Sequence, residues 1–417
     1  MNEPFSAASV GMREQLKNSG ASVGMREQRK ETVRPGRHRI ALVTYSTKAR
    51  GGVVHTLSLA DAMVDQAMDV RIVGLGNPDQ GFFRPVRAPY ILVPASPPAD
   101  TLEKRVFASI DDLEAGLSEV AGDVDILHTQ DCISARAAAR VRDAGARVRV
   151  VRTVHHVDDF TTPVLIECQR KAIEEPDELV VVSEDWRNRL KREFGVDAAV
   201  IHNGVDAARF GPIEESRRVA VRQEAGLDGR FVFLSVGGIE PRKGSIYLFE
   251  AMSILARALD PAPAVVVVGG QSFQDYASYR DDALAMLPRL GLGLGRDVVL
   301  AGTVSDAELH AWYRSADALA FPSTKEGWGL AVLEAMAADL PVVSSDIAVL
   351  REYLTPDESA VMTRVADPIS LAEGMRRVAT DAALRESLIR GGRSVLPAFS
   401  WERAAQEHAQ LYAKMTL

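Results

Sequence analysis

Cysteine is scarce in this sequence, and long hydrophobic runs are missing. Cys132 and Cys168 are the two cysteines among 417 residues, so they cannot form a disulfide framework, and they show no paired metal-ligand spacing. We expect both to pack in the interior of a protein that resides in a reducing compartment. No apolar stretch approaches the ~18 residues that span a bilayer, and the first residues lack an apolar signal core. The sequence therefore predicts a cytoplasmic protein and leaves peripheral membrane contact open.

A strong excess of charge is also missing. Lys and Arg number 49 against 57 Asp and Glu, a formal net charge of −8, so the molecule as a whole does not attract nucleic acid. Any anionic ligand must be held by a local site. The composition is 47% hydrophobic and 25% charged, which is typical of a globular protein. At the usual ~150 residues per domain, the length predicts two or three domains.

An exact octapeptide repeat marks the N-terminal region. ASVGMREQ occurs at residues 8–15 and again at 21–28, within a polar, Arg-rich stretch. Two short copies do not make a repeat protein. We interpret residues 1–36 as a disordered tail, with an amphipathic partner-binding arm as the alternative, and we base no catalytic argument on them.

Short β-branched runs begin at residue 40 and alternate with helix-forming segments. Such near-continuous apolar runs are typical of parallel strands buried on both faces, and the alternation predicts an α/β fold built from βαβ units. The alternation restarts after residues 202–204, which favours two doubly wound domains over one sheet of ten or more strands. We place these domains at residues 37–205 and 206–396, with a cleft between them and a final helix within 397–417. The runs are IALVTY at 40–45, VRIVGL from 70, DILHTQ from 125, VRVVRTV from 148, LVVVSE from 179, FVFLSVGG from 231, AVVVVGG from 264, VVLAG from 298, ALAFPS from 318 and PVVSS from 341.

Two glycine-containing segments are candidates for phosphate binding. Gly51 and Gly52 follow the first strand and precede a helix that we expect to start near His55, so backbone N–H groups could face an anion; a tight turn without a ligand explains them equally well. In VGGIEPRKGS, residues 236–245, Arg242 and Lys243 lie between a strand and an apolar helix. Two adjacent cations match the charges of a diphosphate. Cations at a helix N-terminus oppose the helix dipole, which favours this role over a solvated helix start.

The most specific segment is FPSTKEGWGLAVLEAMAADLPVVSS at residues 321–345. Gly327 and Gly329 permit a loop whose N–H groups point into the cleft, and a helix follows from Leu330. Glu326 lies before this loop, and Glu334 lies one to two turns inside the helix. Both carboxylates can accept hydrogen bonds from sugar or ribose hydroxyls, and the alternative is a solvated pair of glutamates.

These motifs together resemble the family 4 retaining glycosyltransferases of GT-B fold. The resemblance covers about residues 38–415 and is carried by the following segments: Gly51-Gly52, RTVHH at 152–156, IHNGVD at 201–206, PRKG at 241–244 and EGWGLAVLE at 326–334. It implies two Rossmann-like domains, with an acceptor held mainly by the first and a nucleotide-sugar donor held mainly by the second. It also implies that the final helix crosses back to the first domain.

The resemblance implies three ligands for the donor diphosphate. Lys243 and Arg242 would bind it, and Gly52 would approach it from the other domain. The family commonly has Arg after the VG of its phosphate-binding strand, whereas this sequence has Gly238 there. Either Arg242 substitutes for that arginine, or phosphate binding differs locally.

The remaining site residues follow from the same resemblance. Glu334 would bind the ribose. Glu326, together with the N–H groups of Gly329 and Leu330, would contact the transferred sugar. His155 would lie beside the reacting face of that sugar. We count Arg242, Lys243, His155 and Glu326 as the catalytic group.

Neither a metal nor a cofactor is expected. Asp123 and Asp125 resemble a DxD metal motif, but they precede an apolar strand, which favours a turn-and-cap role. The adjacent His155 and His156, with two aspartates at 158 and 159, cannot all converge on one ion, because neighbouring side chains of an extended segment point to opposite faces.

The predicted function is transfer of a sugar from a nucleoside diphosphate to a small-molecule, lipid or glycan acceptor, with retention of configuration. The resemblance implies front-face attack without an enzyme nucleophile, in which the departing phosphate takes the acceptor proton. The alternative is a noncatalytic nucleotide-sugar sensor or partner subunit that uses the same cleft, and a nucleotide-sugar epimerase is more distant. We expect loops at residues 77–88 and 161–169 to determine acceptor choice.

Overall fold

The computed structural model describes residues 38–270 and 276–415. The octapeptide repeat and the tail to which we assigned it lie outside the described residues.

The first half of the chain forms a seven-stranded sheet in which every strand pair is parallel, in the order β3-β2-β1-β4-β5-β6-β7. Helices on both faces connect its strands. The strands are β1 Arg39–Thr44, β2 Asp69–Gly76, β3 Tyr90–Pro94, β4 Ile126–Thr129, β5 Arg149–Val154, β6 Glu178–Val181 and β7 Ala199–Val200; the helices are α1 Gly51–Asp65, α2 Leu102–Val120, α3 Cys132–Asp143, α4 Pro163–Glu174 and α5 Glu184–Phe194.

The second half forms a six-stranded parallel sheet in the order β10-β9-β8-β11-β12-β13. Its strands are β8 Val232–Val236, β9 Ala264–Val268, β10 Val298–Gly302, β11 Ala318–Phe321, β12 Val342–Ser345 and β13 Val361–Thr363. Its helices are α6 Glu215–Glu224, α7 Ser245–Ala258, α8 Ala277–Ala285, α9 Asp306–Ser315, α10 Leu330–Ala337, α11 Ala348–Arg351, α12 Pro368–Thr380 and α13 Ala382–Val395, and the chain ends in α14 Trp401–Tyr412.

Both faces of each sheet are covered, which explains the apolar runs of the sequence. In β1, Ile40 and Leu42 join the core beneath α1, while Ala41 and Val43 join the core beneath α2 and α3. Every residue of β9 is buried. Because successive side chains of a strand point to opposite faces, both sets must be apolar in a doubly covered sheet. The predicted doubly wound α/β architecture is confirmed.

The C-terminal helix α14 packs on the first sheet rather than on the second, which precedes it in the chain. It lies against α1, and Trp401, Ala405 and Tyr412 belong to the same core as β1. The two chain segments that pass between the sheets run side by side, since the Val205 N–H donates to the Phe399 carbonyl at 3.1 Å.

Some local predictions were wrong. Residues 161–169 are not a loop, because Pro163 begins α4 and its fixed φ suits the first helical position. The sequence analysis missed β3, β7 and β13. Strand β3 lies at the edge of its sheet with Tyr90 and Ile91 exposed, and the other two strands are only two and three residues long.

The two acidic motifs that we set aside have structural partners. Asp125 accepts the Arg39 backbone N–H at 2.8 Å and pairs with its guanidinium at 2.7 Å. Across residues 38–270 and 276–415, no group of three or more His, Cys, Asp or Glu side chains is arranged to hold a metal ion. No helix in these ranges is long and apolar enough to cross a membrane.

We predict that Gly204→Ala destabilises the fold. A Cβ at residue 204 would lie 2.1 Å from the Trp401 backbone nitrogen, so the first residue of α14 would have to move away. We expect a loss of about 3 kcal/mol or more in the free energy of unfolding, measured by urea denaturation. Gly122→Ala is the matched control, because a Cβ there meets nothing within 4 Å. Equal stability of the two variants would contradict the tight contact between residue 204 and α14.

We also predict that acid weakens the attachment of α14. His55, His128 and His408 are buried and form a cluster with the half-buried His155, and the rings of His128 and His408 lie 5.3 Å apart. Burial lowers the pKa of His408 to about 4 and of His155 to about 3, and holds the pKa of the other two well below the usual value. The unfolded chain binds these protons near pH 6.5, so their contribution is present above that pH and is lost as the pH falls toward 4.

The measurement is the melting temperature from pH 7.5 to 4.5. The melting temperature of the wild-type protein should begin to decline below about pH 6.5. In folded His408→Gln protein, the melting temperature should decline less steeply. His310→Gln, outside the cluster, should keep the wild-type slope. A His408→Gln profile parallel to wild type would contradict the assignment.

Candidate active site

A cleft of about 850 Å³ lies between the two sheets, at the carboxyl ends of their central strands. Parallel sheets bind ligands at this edge, because the loops that follow neighbouring strands meet there. All eight residues that the sequence predicts for the site line this cleft. They are Gly52, His155, Arg242, Lys243, Glu326, Gly329, Leu330 and Glu334.

Two helices begin at the cleft without a capping side chain. α1 begins at Gly51 and not near His55, so Gly51 and Gly52 are in its first turn. Arg50 precedes α1, and Gly329 precedes α10. In the described part of the chain, neither helix receives a capping hydrogen bond from the side chain of that preceding residue. Free N–H groups at a helix N-terminus attract anions. Side chains cap α2, α3, α5, α9, α12, α13 and α14.

The predicted cations and the first predicted glutamate form one ion cluster, in which Lys243 and Glu326 are largely buried and Arg242 is partly exposed. The Lys243 Nζ lies 2.6 Å from the Glu326 Oε1, and the Arg242 Nη1 lies 3.5 Å from its Oε2. Ser323 donates a hydrogen bond to the Glu326 Oε1 at 2.7 Å, and Glu240 pairs with the Arg242 Nε at 3.0 Å. Two cations and two carboxylates therefore balance at the floor of the cleft.

The cluster is ionised despite its burial. The Glu326 side chain is 7% exposed and that of Lys243 is 12% exposed. Burial alone would raise the pKa of Glu326, but the charges of Lys243 and Arg242 outweigh it and hold this pKa below its ordinary value. Burial lowers the pKa of Lys243 from 10.5, and Glu326 opposes that change. A charge that is buried in this way depends on its partner.

The second predicted glutamate lies apart from the ion cluster. Tyr313 donates a hydrogen bond to the Glu334 Oε2 at 2.7 Å. Burial raises the pKa of Glu334, while the bond from Tyr313 and the charge of Arg209 oppose the change. This carboxyl group therefore has a protein partner on one oxygen and faces the cleft as an acceptor.

His155 lies where the two domains meet. Its Nε2 is 3.1 Å from the Gln130 Oε1, and burial lowers the pKa of the ring to about 3, so the imidazole is neutral at pH 7. Its carbonyl oxygen is so close to Gly327 that a Cβ there would lie only 2.0 Å away. Trp186 of the first domain also donates to the Glu326 carbonyl at 2.9 Å. The loop that carries Glu326 is thus held against the first domain.

The structure explains why glycine replaces the family's arginine at residue 238. Gly238 has φ +76°, and a Cβ would lie 2.7 Å from the Gly270 carbonyl oxygen. Both Gly237 and Gly238 donate their N–H groups to the Val268 carbonyl. A larger residue would strain this backbone and collide with the loop that follows β9.

The sequence analysis missed several polar residues of the cleft. Glu240 adjoins the PRK motif and Ser323 adjoins Glu326, so their positions in the sequence were a usable signal. Gln130 and Arg152 sit in or beside apolar strands, and Tyr313 is distant in sequence from Glu334. Only the fold brings these three to the site.

Comparison with known proteins agrees with this geometry. Residues 49–209 match Glycosyltransferase Family 4, and residues 218–395 match Glycosyl transferases group 1. A glycosyltransferase of Methanocaldococcus jannaschii is 26% identical over 90% of this chain and 97% of its own length. The D-inositol 3-phosphate glycosyltransferase 1 of Catenulispora acidiphila is 29% identical over 77% of this chain and 79% of its own.

Solved structures share the fold. Sucrose-phosphate synthase from Thermosynechococcus elongatus superposes with a TM-score of 0.75 at 21% identity, covering 90% of this chain and 98% of that one. HepE of Anabaena, solved with UDP and glucose, has a TM-score of 0.75 at 18% identity, covering 91% and 100%.

The fold and the matched segments define a GT-B glycosyltransferase that uses a nucleotide-sugar donor, an enzyme of class EC 2.4. The chain belongs to glycosyltransferase family 4, the group 1 glycosyl transferases, whose members retain anomeric configuration. The predicted family and fold are confirmed.

We predict that Glu326→Gln destabilises the protein by about 3 kcal/mol, because it leaves Lys243 as a buried cation without a charged partner. Urea denaturation measures the loss. The matched control is Glu114→Gln, which removes a more exposed pair with Arg140 and should cost less than about 1 kcal/mol. Similar losses in both variants would show that the buried pair stabilises the protein no more than the exposed pair does.

Proposed function

We propose that this enzyme transfers a sugar from a nucleoside diphosphate to an acceptor bound on the first domain, by front-face attack with retention and without a metal. The observation that carries the proposal is the ion cluster of Lys243, Arg242 and Glu326, which lines the same cleft as the uncapped N-termini of α1 and α10. This arrangement has the positive groups that a leaving diphosphate requires.

The diphosphate would take over the cations that Glu326 now holds. Two negative phosphate groups are a stronger counter-charge for Lys243 and Arg242 than one shared carboxylate. Glu326 would then be released from part of its pairing and could accept hydrogen bonds from the sugar hydroxyls. Gly52, in the first turn of α1, would approach the same diphosphate with its N–H group.

The other predicted residues act on the two ends of the donor. Glu334, with one oxygen fixed by Tyr313, would accept hydrogen bonds from the ribose hydroxyls. The N–H groups of Gly329 and Leu330 would contact the transferred sugar. The neutral ring of His155 would lie beside its reacting face and contribute a hydrogen bond rather than a charge.

Catalysis follows from charge that develops on the leaving group. As the bond from the anomeric carbon to the diphosphate oxygen breaks, negative charge grows on that oxygen. Lys243, Arg242 and the helix N-termini stabilise this charge more strongly than they stabilise the ground state. The acceptor hydroxyl attacks from the same face, and its proton passes to the departing phosphate.

The test is donor binding and transfer in matched variants. We expect one sugar nucleotide, among UDP-, GDP-, ADP- and TDP-sugars, to stabilise the wild-type protein by about 2.7 kcal/mol at 100 times its dissociation constant. Lys243→Met should lose this stabilisation, whereas Lys104→Met, on the exposed face of α2, should keep it. Glu326→Gln should still bind the nucleoside diphosphate alone, because that ligand replaces the lost negative charge, yet it should fail in transfer and donor hydrolysis.

Two results would contradict the proposal. Donor stabilisation that persists in Lys243→Met would remove Lys243 from the diphosphate site. Binding of the intact donor without slow hydrolysis, and without transfer to any acceptor of a broad panel, would indicate a nucleotide-sugar sensor instead.

A further inference from the structure

Arg152 is a buried cation on the first-domain wall of the cleft. It lies in β5, opposite Thr129 of β4, and is 3% exposed while lining the cleft. Its Nε and Nη1 atoms have no hydrogen-bond partner, and within residues 38–270 and 276–415 it forms no ion pair. Buried polar groups are nearly always satisfied, so such an arginine calls for a ligand.

The other arginines of this domain behave differently. Arg136 pairs with Glu175, Arg142 with Asp177, and Arg84 with Asp61. All three remain more exposed to solvent than Arg152. The most buried guanidinium of these four is thus the one without a counter-ion.

The groups that face Arg152 do not neutralise it. Asp131 is its nearest candidate, but the two oxygens of that carboxylate accept the backbone N–H groups of Ser134, at 2.7 Å, and Tyr45, at 3.1 Å. Asp158 and the thiols of Cys132 and Cys168 also act on Arg152, and the neutral ring of His155 is a further titratable neighbour. Burial lowers the pKa of Arg152 in spite of the two carboxylates and the two thiols, which means that their attraction does not offset its desolvation. A guanidinium nevertheless stays charged at neutral pH.

The position of Arg152 assigns it to the acceptor side of the cleft. It precedes His155 by three residues and lies across the cleft from the Lys243 cluster, which belongs to the second domain. Lys48 and Arg50 line the same wall of the first domain. This wall therefore presents three cations to whatever occupies it.

We propose that Arg152 binds an anionic oxygen group of the acceptor, either a phosphate monoester or a carboxylate. The inference rests on the proposed function and specifies its substrate class. A guanidinium is planar and directs its N–H donors outward, which suits the oxygens of both groups, and the Nε and Nη1 of Arg152 have no protein partner that would compete with them. The anion anchors one end of the acceptor, and a hydroxyl elsewhere on it attacks the sugar.

The binding test uses glucose, glucose 6-phosphate and glucuronate, three probes with one ring and different charge. The protein carries Lys243→Met, which removes one of the two donor-site cations and so weakens binding of a phosphate group at the donor site. We expect both anionic probes to bind at least about tenfold more tightly than glucose, measured by calorimetry. Adding Arg152→Met should abolish the difference, whereas adding Arg149→Met, at the other end of β5, should preserve it.

The kinetic test uses the wild-type protein with the donor that stabilises it. Anionic probes should have a KM at least about tenfold lower than glucose, with kcat little changed, and Arg152→Met should remove this preference. Arg152→Lys, which keeps the charge but not the fork, should retain part of it and serves as the folded variant if Arg152→Met is unstable.

The outcomes separate the two proposals. If the donor binds and hydrolyses but neither assay favours the anionic probes, the role of Arg152 is wrong and the proposed function stands. If the anionic probes bind through Arg152 but no sugar nucleotide binds, the anion site stands and the proposed function is wrong. An anion preference that survives in Arg152→Met and Arg152→Lys would also overturn the inference.

Discussion

The charge balance around Glu326 is the constraint on which the rest of the site depends. This carboxylate belongs to the loop before α10, and its cationic partners belong to the turn before α7, so the pair joins two loops at the carboxyl edge of the second sheet. The same loop touches the first domain through the Glu326 carbonyl and Gly327. The ion pairs within the second domain and the contact between the two domains therefore meet at two consecutive residues, Glu326 and Gly327.

This pairing also lowers the free-energy cost of keeping a buried charge in the cleft when no ligand is bound. Without ligand, buried Lys243 would be an unpaired charge, and Glu326 compensates it with additional support from Ser323. A ligand that brings its own negative charge can replace the carboxylate without exposing the cation. The ion pair is thus complete without a ligand, and under the proposed function the substrate would exchange one counter-charge for another.

Much of the fold was predictable because its physical cause is local. Strands such as β9 are apolar throughout, as a sheet covered on both faces requires, and the restart of the alternation marked two sheets. Strands β3, β7 and β13 were missed because an exposed edge or a length of two or three residues gives no such signal. Helix α4 was missed because residues 161–169, which include its first two turns, were taken for a loop.

The motifs predicted residues that line the cleft, but they did not predict which of these residues pair with each other. The motifs named Lys243 and Glu326, but their contact spans 83 residues and follows only from the order of the strands. Gly238 was noticed as a departure, although its reason, a left-handed backbone against the Gly270 carbonyl, is a property of packing. Arg152 begins the RTVHH segment but received no role, because one charged residue in an apolar strand looks like an ordinary interruption until its surroundings are known.

The hydrogen bond between Val205 and Phe399 has a consequence for how the domains move. The chain connects the two sheets twice, once after β7 and once before α14, and both connections pass through this point. Because the two chain connections meet at one place, they act as a hinge. The domains can rotate about this hinge but cannot slide past each other. In any rotation of the domains about this point, the parts of the cleft farthest from it would therefore move farthest.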